Sequence, residues 1–137
     1  MEDLNKSKAL LLQEGYTCVL CRGDELYTSR HRGVRPLMEL LDADTAGFSA
    51  ADKVVGKATA LLYCLLGIRQ LYARIISDAA IQVLEQHNIP VQWDTRVAYI
   101  VNREGNGRCP MELATEHISD PALAPDAIRQ KLKQLQG

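Results

Sequence analysis

Ser49-Ala-Ala-Asp-Lys-Val-Val-Gly-Lys-Ala-Thr-Ala-Leu-Leu-Tyr-Cys-Leu-Leu66 is the stretch on which the fold turns. Ser49 is a residue of the N-cap type and Asp52 stands three residues on, so the spacing predicts one helix from Ser49 to Leu66. From Ala58 onward the residues are apolar on nearly every side, the pattern of a buried helix. Asp52, Lys53, Gly56 and Lys57 interrupt that pattern in the first two turns. A glycine inside a helix costs roughly 1 kcal/mol against alanine, so Gly56 predicts that another group comes close to the backbone there. A buried helix with a charged leading end is the expected seat of a site.

Working outward, residues 3–14 predict an amphipathic helix stopped by Gly15. Tyr16 to Leu20 and Glu25 to Ser29 read as a hairpin around Arg22-Gly23-Asp24, which is a turn rather than an adhesion motif. A basic loop follows, Arg30 to Arg35, and Pro36 opens a short helix reaching Leu41. Residues 42–48 form a polar linker. On the far side, Gly67 ends the central helix and Leu71 to Ile76 reads as a buried strand. Ser77 and Asp78 cap a helix from Ala79 to His87. Val91 to Trp93 and Val97 to Val101 are strand-like. Asn102 to Arg108 is a glycine-containing loop, Cys109 starts a helix to about His117, and Asp126 caps a last helix. This order predicts an α/β protein with a mixed sheet and helices on both faces. Any ligand is expected at the loops that follow the parallel strands, at Ser77 and at Asn102 to Cys109.

The 137 residues predict a single domain, 1–137, large enough for a real core. A net charge of −1 gives no basic field for nucleic acid. The longest apolar run, Ala58 to Leu66, is far short of the ~20 residues of a membrane span. The start, Met1-Glu-Asp-Leu-Asn-Lys, is unlike a signal peptide, so a cytoplasmic protein is expected. Four cysteines in such a chain are expected as free thiols. No cofactor is expected, and a homodimer is left open.

The candidate chemistry is sparse. Cys18 and Cys21 lie three apart in a strand and so face opposite sides, which is wrong for zinc. No two of the three histidines are four residues apart. Cys109 precedes Pro110 at a helix start, with Glu112 at the third helical position. A helix N-terminus favours thiolate, which makes Cys109 a candidate nucleophile or redox thiol with Asp52 or Lys53 as proton-transfer partner. Lys53 and Lys57 share a face of the predicted helix, beside Asp52 and Gly56. Together with Ser77, Asn102, Arg103 and Glu112, these residues are expected to bind a small anionic or nucleotide-like ligand at converging helix N-termini. Lysine would meet anionic groups, and Asn102 would read an amide or base edge. A non-catalytic interaction module is the remaining alternative.

Three stretches carry a family resemblance: Arg32 to Leu37, Ala51-Asp-Lys-Val-Val-Gly-Lys-Ala58 and Cys109-Pro-Met-Glu112. They resemble the signature of domain-of-unknown-function family 1893, along nearly the whole chain. The resemblance implies a cytidine deaminase-like fold, a three-layer α/β/α sandwich. Zinc deaminases carry His-x-Glu at one helix start and Pro-Cys-x-x-Cys at the next. By element order those positions fall near Ala51 to Lys53 and Ser77 to Ala80, where neither motif stands. The resemblance therefore implies the fold without the catalytic zinc.

Overall fold

The computed structural model describes residues 2–136. The chain runs through helix α1 (Glu2–Glu14), strands β1 (Cys18–Arg22) and β2 (Glu25–Ser29), and helix α2 (Arg35–Glu39). Strand β3 (Ser49–Val55), helix α3 (Lys57–Leu66), strand β4 (Gln70–Ser77) and helix α4 (Asp78–Gln86) follow. Strand β5 (Val91–Val97), helix α5 (Pro110–Ala114), a 3-10 turn (Pro121–Leu123) and helix α6 (Ala124–Gln136) complete it. One five-stranded mixed sheet has the order β2-β1-β3-β4-β5. β1 is antiparallel to both β2 and β3, while β3, β4 and β5 are parallel.

The single helix expected over 49–66 is two elements, and its first half is the middle strand of the sheet. Ser49 caps nothing: its hydroxyl accepts from Gln70 Nε2 at 2.9 Å and its carbonyl accepts from Ser7 Oγ at 3.3 Å. β3 is paired along both edges, so ladder bonds to β1 and β4 override a local capping signal. Val54 and Val55 are β-branched and suit a strand. Helix α3 then starts at Lys57 and stops, as the sequence predicts, at Gly67, which adopts φ +70°.

Three further boundaries differ from expectation. β5 is one strand ending at Val97, and Val101 makes only an isolated bridge with Arg108. α5 ends at Ala114, well before His117. α6 starts at Ala124, and Asp120 rather than Asp126 caps the turn before it, accepting from the Ala122 N–H at 3.0 Å.

Alternation along β1, β3 and β4 divides the apolar side chains between two cores. Val19, Cys21, Ala51 and Tyr72 pack with Leu4 and Leu11 of α1 on one face. Cys18, Leu20, Ala50, Leu71 and Ala73 belong to the larger core on the other face, with Leu61, Leu62, Leu84 and Ile128. Cys18 and Cys21 thus face opposite sides, and all four cysteines are free. The ends of β3, β4 and β5 lie together along one edge of the sheet.

Candidate functional site

At that edge one side chain ties three elements together. Glu112 of α5 is 3% exposed. Its Oε2 accepts from the Lys57 main-chain N–H at 3.1 Å and from the Ser77 hydroxyl at 2.7 Å. Its Oε1 accepts from the Ile100 N–H at 2.6 Å. Lys57 opens α3, and Ser77 is the N-cap of α4, where its Oγ also accepts from the Ala80 N–H at 3.3 Å. Gly56, the N-cap of α3, has no side chain to cap the helix, so Glu112 supplies the acceptor. Two helix starts, each with partial positive charge, thus share one carboxylate. The Lys57 ammonium reaches outward to the Glu116 carbonyl at 2.8 Å, and Arg108 pairs with the Glu116 carboxylate at 3.1 Å.

A second polar cluster is buried beneath α3. Asp52 points from β3 to Tyr63, whose hydroxyl donates to Asp52 Oδ2 at 2.6 Å. Asp52 Oδ1 accepts from the Val54 N–H at 3.2 Å. Cys18 Sγ lies 3.3 Å from the Tyr63 oxygen. With the tyrosine proton committed to Asp52, the thiol is the donor there. Burial pushes the Asp52 carboxyl up to about 7, partly offset by the Tyr63 hydroxyl and the main-chain donors. Burial, with the nearby Asp52 charge second, also pushes the Cys18 thiol well above its ordinary value.

Gly56, Lys57, Ser77 and Glu112 are therefore brought together, and Asp52 and Cys109 have other neighbours. Asp52 and Lys53 are strand residues, not helix residues. Asp52 is buried, whereas Lys53 is exposed and gives its N–H to the Thr17 carbonyl at 3.0 Å. Cys109 is half-buried at the start of α5, and its thiol makes no hydrogen bond among the described residues. The Asn102 side chain is engaged with Asn106 in its own loop, by Nδ2 to Oδ1 at 2.9 Å and by the Asn106 N–H at 3.1 Å. Arg103 is exposed and makes no ion pair among the described residues. Tyr63 is the functional-looking residue that the sequence hides. Its hydroxyl lies inside an apolar run and acquires meaning only once Asp52 is assigned to a strand beside it.

A model of the family described as TM1506, domain of unknown function (DUF1893), matches residues 6–132. The chain belongs to the DUF1893 family. The family resemblance read from the three sequence stretches is correct, and two of those stretches supply Gly56, Lys57 and Glu112 to the junction. The crystal structure of a DUF1893 family protein, TM1506 from Thermotoga maritima, matches with a TM-score of 0.87 at 20% identity. The match covers 95% of this chain and 90% of that one, and it shows a common fold. No curated protein matches the chain.

In this DUF1893 member the helix starts are Gly56-Lys57-Ala58 and Ser77-Asp78-Ala79-Ala80, the first lying later than element order predicts from sequence. Neither holds His-x-Glu or Cys-x-x-Cys. Among the described residues no group of three or more His, Cys, Asp or Glu side chains is placed to hold a metal ion. No described helix is long and apolar enough to cross a membrane.

Proposed function

We propose that this protein binds a small anionic or nucleotide-like ligand at the joined starts of α3 and α4, within a deaminase-like fold that works without zinc. The observation that supports this reading is the convergence of the Lys57 N–H and the buried Ser77 hydroxyl on one carboxylate. Helix starts with inward-facing donors favour anions for both hydrogen-bonding and dipolar reasons. Glu112 currently fills that position, so the ligand's anionic group takes the place of a carboxylate. The Lys57 ammonium stands at the same helix start, and the exposed Arg103 of the adjoining loop is a donor for the rest of the ligand, joined by Asn102 when it releases Asn106. An enzymatic alternative would draw on Asp52 as proton donor or acceptor, and on Cys109 only if the segment carrying it moved toward Asp52.

Chemical rescue tests the anion seat. Glu112→Ala is expected to lose stability and to regain part of it with formate in the tens of millimolar. Chloride at the same ionic strength should restore less. Equal melting temperatures in the two salts would sink the reading, because the vacated donors would then show no preference for a carboxylate.

A further inference from the structure

We infer that residues 98–116 form a lid over this ligand site and that Glu112 is its latch, an internal carboxylate that occupies the position of the ligand's anionic group. The inference rests on the ligand reading above. Its basis is how little else fastens the segment. Between Ile89 and Ala124 no apolar side chain is buried. The two buried residues of the segment are Glu112 and Thr115. Thr115 turns its hydroxyl back to the Met111 carbonyl at 2.9 Å, inside the segment. Met111 packs against the large core only in part, and the half-buried Ile100 lies over Gly56. Among the described residues, the polar ties to the body are the two Glu112 contacts with Lys57 and Ser77, and the Lys57 ammonium on the Glu116 carbonyl.

Within itself the segment is well tied. The Cys109 N–H donates to the Ile100 carbonyl at 2.8 Å, Val101 bridges Arg108, and Arg108 pairs with Glu116. Glu112 Oε1 holds the Ile100 N–H, so the latch residue also braces the lid. A unit with internal bonds and few apolar anchors opens locally at low cost while the core stays folded. Gly56 completes the arrangement. A Cβ there would lie 2.9 Å from Glu112 Cγ, so only glycine lets the latch seat at the helix start. A ligand that binds only the open form has its affinity reduced by the fraction of open molecules, and removing the latch removes that reduction.

The test combines amide hydrogen exchange with an inorganic phosphate titration followed at the Lys57 and Ser77 amides by NMR. In Glu112→Gln, amides of 98–116 should exchange at least about tenfold faster while β1, β3 and β4 keep their wild-type protection. Phosphate should shift the two amides at concentrations about tenfold lower than in the wild type. Unchanged exchange in the segment, an equal rise across the core, or equal phosphate affinity in both proteins overturns the lid. Faster exchange confined to the segment, with no phosphate response in either protein, supports the latch and overturns the ligand reading instead. Should Glu112→Gln fail to fold, Gly56→Ala crowds the latch at Glu112 Cγ, leaves the Lys57 and Ser77 donors in place, and is read by the same outcomes.

Discussion

Gly56 sits at the helix start where the Glu112 side chain presses closest to the backbone. Its backbone, φ −95° and ψ −175°, is open to any residue, so the glycine is required by room rather than by conformation. The missing Cβ would meet Glu112 Cγ at 2.9 Å, and Glu112 Cδ and Ile100 Cγ1 at 3.2 Å each. Glu112 is held at its tip by three donors and cannot swing aside freely. Gly56→Ala is therefore expected to cost about 1–3 kcal/mol by overpacking. In a double-mutant cycle with Glu112→Ala the two losses should couple, because the second change removes the obstacle. Simple additivity in denaturant melts would mean that the neighbours yield without cost. Asp52 gives a pH prediction at the same scale. Its carboxyl is raised from 3.8 to about 7 in the fold, facing Tyr63 of α3 and Cys18 of β1. Between those values the folded chain holds a proton that the unfolded chain has released. Stability from this group is thus full below about pH 4, falls as pH rises toward 7, and levels off above it. The expected loss is about 4 kcal/mol, at 1.36 kcal/mol per unit over the roughly three units between 3.8 and about 7. Asp52→Asn should flatten that slope in urea melts taken from pH 4 to 8. An unchanged slope would assign the dependence to other groups.

At the scale of elements, local signals worked wherever the chain decides locally. The hairpin around Gly23, the Ser77 cap of α4 and the Gly67 stop of α3 are all legible, because each depends on neighbours within a few residues. β3 was not legible. Ser49 and Asp52 imitate a capping pair, and what overrides them is pairing with β1 and β4, residues far away in sequence. The site suffered the same way: Glu112 was recognisable as a polar residue near a helix start, but its partners Lys57 and Ser77 are set by topology. The sequence predicts a longer α5, and at five residues it gives little dipole to activate Cys109. Accessibility then governs reactivity. Cys18 and Cys21 are buried, Cys64 and Cys109 are half-buried, and burial pushes the Cys64 thiol up to about 11. Iodoacetamide near neutral pH should label Cys109 first, Cys64 next, and Cys18 and Cys21 last, as peptide mass spectrometry would read. Cys18 or Cys21 labelling as early as Cys109 would mean that β1 is far more open than its burial implies.

The whole molecule is held by three strands that serve two cores at once. On β1, Val19 faces α1 and Leu20 faces α3; on β3, Ala51 and Ala50 divide likewise; on β4, so do Tyr72 and Leu71. α1 therefore cannot leave without uncovering residues whose neighbours in the chain build the other core. Such sharing predicts a single cooperative unfolding transition rather than early loss of α1. The lone tryptophan, Trp93, lies on β5 at the sheet's edge and reports tertiary structure, while far-UV circular dichroism reports the helices. Their urea midpoints should coincide. Leu11 is 3% exposed in the α1 core, and Leu11→Ala should cost about 2–5 kcal/mol and move both midpoints together. Leu61→Ala, on the opposite face, should do the same. If Leu11→Ala instead splits the curves, with part of the dichroism lost while Trp93 stays native, α1 is a separate unit and the strands do not couple the two faces.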